Sequence, residues 1–92
     1  MTTNRNQTLR KMLENRHPSV REVGKHLNYD EYMPHRRAVA KPFAYLAAEM
    51  LGKLPDSPEL TVMLRKIIEA RDCSIRAADD ARQKEKNDNA SD

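Results

Sequence analysis

Glycine is nearly missing from this chain: Gly24 and Gly52 are the only two in 92 residues. A glycine-rich loop that wraps phosphate in backbone N–H groups is thereby excluded. Tryptophan is absent, the aromatics are limited to Tyr29, Tyr32, Phe43 and Tyr45, and only 38% of the residues are apolar. A chain this short buries a limited fraction of its surface, so the sequence predicts a thin core completed by self-association. Cys73 is the single cysteine, which rules out an internal disulfide and fits a reducing cytosol. Three scattered histidines, His17, His26 and His35, give no metal-ligand spacing with it. At mid-helix, with no visible orienting group, Cys73 reads as a passive thiol. The first fifteen residues are polar, unlike a signal peptide, and the longest apolar run, FAYLAAEML, is far too short to span a bilayer. The expectation is a soluble cytoplasmic protein with no metal, no cofactor and no catalytic constellation.

What the chain has in quantity is charge, 34% of its residues, and that charge is uneven. The net value is +3, but residues 1–41 carry nine Lys/Arg against four Asp/Glu, and residues 42–92 carry eight against ten. A basic front half suits a partner that bears phosphate.

The periodicity predicts an all-α fold: an antiparallel helical hairpin over 28–81, preceded by a short helical segment over 1–27 and followed by a disordered tail over 82–92. The first arm runs from about Met33 or Pro34 to Lys53. Val39, Phe43, Leu46, Ala47, Met50 and Leu51 recur at three- and four-residue steps and define its buried face. Pro34 suits a first helical turn, and Pro42 removes a bond to the Ala38 carbonyl and is expected to kink the arm. GKLPDSPE stops one helix and starts the next, with Ser57 or Asp56 as cap. The second arm, from about Pro58 to Ala81, carries Leu60, Leu64, Ile67, Ile68, Ile75 and Ala78 as its stripe. In the front third, QTLRKMLENR and SVREVGKHL read as short helices, the second capped by Ser19 and burying Val20, Val23 and Leu27. The mixed-sign tail lacks apolar residues beyond alanine.

The second arm holds six charges within LRKIIEARDCSIR, residues 64–76. With Arg65 at 0° and about 100° per residue, Glu69 falls at about 40°, Asp72 at about −20° and Arg76 at about 20°. All four share one stripe beside the apolar face. Lys66 lies further round, and Arg71 falls among the apolar residues, its stem on the core and its guanidinium reaching out. Two readings stay open. Arg65–Glu69 and Asp72–Arg76 are spaced as ordinary helix-surface ion pairs. The same stripe can border an interface where arginine forks bind phosphate and carboxylates orient them.

NYDEYMPHRR sets Tyr29 and Tyr32 just before His35, Arg36 and Arg37. Aromatic faces stack on nucleobases, guanidinium groups neutralise phosphate, and a helix N-terminus favours anions. The competing reading has the tyrosines covering the open end of the hairpin and the arginines in solvent.

HPSVREVGKHLN resembles the opening of the helix-turn-helix element of LexA-type repressors, and LRKMLEN fits the helix before it. The recognition helix would then fall on NYDEYMPHRR, which Pro34 interrupts. A small DNA-binding regulator is therefore the alternative reading.

Residues 28–78 resemble a family of small bacteriophage proteins that share a tyrosine-rich entry, a Pro-Phe in the first arm (Pro42–Phe43), a Leu-Pro turn (Leu54–Pro55) and a Leu-Arg-Lys…Glu-Ala-Arg-Asp…Arg-Ala second arm. That family is similar in turn to the phage anti-CBASS and anti-Thoeris sponge proteins, through the register met here by Glu59, Leu64, Lys66, Glu69 and Ala70. The resemblance implies a homo-oligomer, often a hexamer, in the infected bacterial cell. It implies sequestration of a cyclic nucleotide or cyclic ADP-ribose-type immune messenger without chemistry. The candidate ligand-binding residues are Tyr29, Tyr32, Arg36, Arg37, Arg65, Lys66, Glu69, Asp72 and Arg76. Residues 1–27 lie outside it.

Overall fold

The computed structural model describes residues 5–90, and all of the regular structure in that range is helical. Helix α1 spans Arg5–Leu13, α2 spans Pro18–Gly24 and continues into a 3-10 turn at Lys25–Leu27, α3 spans Pro34–Leu51, and α4 spans Pro58–Ala90. Helix α3 packs against both α1 and α4, while α2 packs against α4 and touches α1. The core lies inside this ring. Leu9 and Leu13 enter it from α1, Val20 from α2, Leu27 from the turn, and Leu60, Leu64, Ile67 and Ile75 from α4.

The buried face of α3 is turned from the one the sequence predicts, toward the alanines, and shares only Ala47 and Leu51 with it. Ala40, Ala44, Ala47, Ala48 and Leu51 are buried, Val39, Phe43 and Met50 are half-buried, and Leu46 is exposed. The reason is geometric: α3 has a helix on two sides, and small side chains let both come close. Close approach recurs at Gly24, where a Cβ atom would meet the Leu13 side chain at 2.6 Å.

Helix caps follow local chemistry with one correction. The Ser57 hydroxyl accepts the Leu60 N–H at 3.1 Å and starts α4 as predicted. Helix α2 is capped not by Ser19 but by His17, whose Nδ1 accepts the Ser19 N–H at 3.2 Å while Pro18 takes the first helical position. Helix α3 runs through Pro42, which is exposed along with Ala38, so water can reach the carbonyl that Pro42 cannot bond. Pro34 opens α3 instead of interrupting a helix. Residues 28–33, where the recognition helix of the alternative reading would begin, form a loop and no helix.

Helix α4 continues past Ala81 to Ala90, across the segment expected to be disordered, with residues 82–88 exposed. Asp79, at the edge of that segment, is anchored by α3 through Arg36, so the helix enters the tail already formed. Within the tail, Gln83 Nε2 donates to Asn87 Oδ1 one turn on, at 3.4 Å. Residues 91–92 lie outside the described range.

The two short connections are fastened to each other. Arg16, after α1, donates to Asp56 at 2.8 Å and to the carbonyls of Leu51 and Leu54. The His17 N–H donates to the second Asp56 oxygen at 2.8 Å. Asp56, one of two expected caps for α4, thus serves the 14–17 link instead. The His17 N–H, then the Arg16 guanidinium, hold its carboxyl below the usual carboxylate range.

Candidate functional site

The nine candidate residues do not form one site. The aromatic–basic loop is folded inward, as the competing reading of the tyrosines holds. Tyr29 is 3% exposed, meets Tyr45 edge-to-face at 6.4 Å, and has the Lys41 ammonium 5.8 Å from its ring centre. Tyr32 is half-buried with the Arg71 guanidinium 5.7 Å from its ring centre. Both aromatic faces therefore already carry a cation from within the chain, so neither is a free platform for a base.

The arginines of this region are also engaged. Arg37 donates to the Tyr32 carbonyl at 3.0 Å and holds the loop before α3. Arg36 reaches α4 and grips Asp79 with two donors, at 2.9 and 3.2 Å, while His35 Nε2 lies 3.5 Å from the same carboxylate. Arg36 first, then His35, lower the Asp79 carboxyl from its ordinary value.

Arg71 corrects a further expectation. Its stem lies in the core as predicted, but its guanidinium does not reach out: the residue is 6% exposed. It donates to the carbonyl of His26 and, at 2.8 and 3.0 Å, to Asp72 Oδ1. Asp72 is thereby drawn away from Arg76, and the expected Asp72–Arg76 pair does not close. Arg76 instead places Nη2 3.2 Å from Cys73 Sγ. No local spacing could reveal the Arg71–His26 or Arg16–Asp56 contacts, because each joins residues about 40 positions apart.

What remains is the outer surface of α4. Arg65 and Glu69 are both exposed, and among the described residues they form no ion pair with each other despite their spacing. Arg65 stands between two hollows along the α2–α4 seam. One, of about 540 Å³, is lined by His17, Ser19, Val20 and Thr61 among others. The second, of about 410 Å³, is lined by Glu22, Val23, His26, Ile68 and Glu69. Arg65 is common to both. Lys66 lies on the opposite flank, over the α3–α4 seam with Phe43 and Leu46. Among the described residues no grouping of three or more His, Cys, Asp or Glu side chains could hold a metal ion. No described helix is long and apolar enough to cross a membrane.

No protein-family model matches the chain, and neither a curated protein nor a solved structure matches it.

Proposed function

We propose that this is a non-catalytic binding protein that works as a homo-oligomer in the infected bacterial cell. Its ligand is a cyclic nucleotide or cyclic ADP-ribose-type messenger of host immunity, which it sequesters. In this reading α3 and α4 form an antiparallel hairpin, and Arg65 anchors ligand phosphate. The supporting observation is Arg65 itself: an exposed guanidinium, unspent on Glu69, flanked by hollows of about 540 and 410 Å³. Volumes of that size suit a small organic ligand, and the polar and charged side chains that line them beside Val20, Val23 and Ile68 can orient one. An arginine fork with free donors meets a phosphate through two parallel hydrogen bonds. Glu69 and His26, which also line the second hollow, add polar groups for a base or ribose. Tyr29, Tyr32, Arg36, Arg37 and Asp72 are spent on the fold, so the reading now rests on Arg65 and Glu69, with Lys66 on the opposite flank of α4.

Thermal-shift measurements with cyclic dinucleotides, cyclic trinucleotides and cyclic ADP-ribose isomers test this. A ligand that binds only the folded state raises the melting temperature with concentration. The Arg65→Ala variant is expected to fold normally and lose that rise. No rise with any of these ligands would sink the reading.

DNA binding remains the second reading because Lys11 and Arg21 are exposed on the basic front half of the chain. It predicts duplex affinity that falls steeply with salt.

A further inference from the structure

A shallow groove of about 420 Å³ follows the α3–α4 seam, floored by Phe43 and Leu46 from α3 and by Val62, Met63 and Ile67 from α4. Leu46 is 44% and Val62 is 39% exposed. Phe43 and Met63 are half-buried. Leu46 and Val62 are apolar side chains left in water side by side, a surface that a second polypeptide can cover.

The charges on the groove say which one. Only Glu59 and Lys66 carry charge among its lining residues, and both are exposed. Among the described residues neither closes an ion pair within the chain. They sit on one stripe of α4, about 10 Å apart along its axis. The midpoint between them falls between Val62 and Met63, the apolar centre of the groove. A two-fold axis through that midpoint sets each Glu59 against Lys66 of the second copy. It also stacks Leu46, Val62 and Met63 on the same residues of that copy. An isologous contact needs a self-complementary patch, and opposite charges placed symmetrically about an apolar centre supply one. A foreign helix would have to supply the opposite charge order by chance, whereas a second copy supplies it by symmetry.

We propose that the α3–α4 groove is a two-fold interface, and that its occupant is a second copy of this chain with its α4 running antiparallel. The proposal rests on the oligomeric part of the reading above and gives it a surface, but it requires no ligand.

Sedimentation equilibrium of the full chain, with multi-angle light scattering, tests the interface. The wild type is expected at an even multiple of the chain mass. Lys66→Glu alone and Glu59→Lys alone each oppose like charges and should weaken association by at least about tenfold in Kd. The double variant Glu59→Lys/Lys66→Glu restores the pairing and should restore the mass. Circular dichroism checks that each variant keeps its helices, and Lys66→Gln and Glu59→Gln replace any variant that does not. A wild type that stays monomeric across micromolar concentrations would overturn the interface. So would single variants of unchanged mass, or a double variant that stays apart when both singles dissociate. A monomer that still shows a nucleotide-dependent thermal shift overturns the interface and leaves the ligand reading standing. An assembled protein with no such shift does the reverse.

Discussion

Arg71 on α4 donates to the carbonyl of His26, at the heart of the 3-10 turn that ends α2, while its guanidinium lies beside the Tyr32 ring. One buried side chain thus joins α4, the α2 terminus and the loop before α3. The cation is matched by Asp72, half in solvent, which spares the interior an unpaired charge.

Replacing Arg71 with alanine removes the charged donor and leaves the His26 carbonyl wanting a partner. The expected cost is about 2 kcal/mol in urea unfolding, since bonds from charged groups contribute about 1.5–3 kcal/mol. Lysine should not rescue it, because an ammonium lacks the planar fork that serves the carbonyl, the carboxylate and the ring together. Wild-type stability in Arg71→Lys would refute this account.

Acid should loosen the fold through two carboxylates. Asp79 is lowered chiefly by Arg36, and Asp56 chiefly by the His17 N–H. A group with a depressed folded pKa stabilises fully above its unfolded pKa and loses that contribution as pH falls through the folded value. Melting temperature should therefore hold near neutrality and decline below about pH 4. The Asp79→Asn and Asp56→Asn variants should melt lower at neutral pH and show a flatter acid limb. Parallel limbs in all three proteins would argue against the assignment.

Cutting the clip between the two connections is the third test. Arg16→Ala gives up the Asp56 pair and the bonds to the Leu51 and Leu54 carbonyls. A loss of about 1–2 kcal/mol is expected. Hydrogen exchange should quicken at the N–H of Leu54, which bonds the Met50 carbonyl, as the 52–57 connection loosens.

Ending the chain after Ala81 should lower helicity with almost no change in melting temperature. Residues 82–88 are exposed and contribute helix without burial. A fall in stability above about 0.5 kcal/mol would show that the distal segment packs against something.

Much of this fold was legible from short-range rules. Pro34 at the start of α3 and Ser57 at the start of α4 follow from capping chemistry that acts within four residues. The burial of Ala40, Ala44 and Ala48 ahead of Leu46 was not legible, because periodicity does not say how many neighbours a helix has. Charge spacing misled in the same way. Asp72 is four residues from Arg76, yet Arg71 claims it because the His26 carbonyl holds that guanidinium in place. Arg65 and Glu69 were visible as a stripe, but the hollows beside them depend on where α2 lands, and no local pattern fixes that.

The exposed end of α4 also changes how the protein moves through water. Its extents are 55 × 33 × 18 Å and its radius of gyration is 15.6 Å, against about 12 Å for a compact chain of this length. A rod of this kind suffers excess drag and leaves a sizing column early, as a heavier sphere would. A single copy can therefore pass for a dimer by elution volume, so only mass measured independently of shape can count the copies.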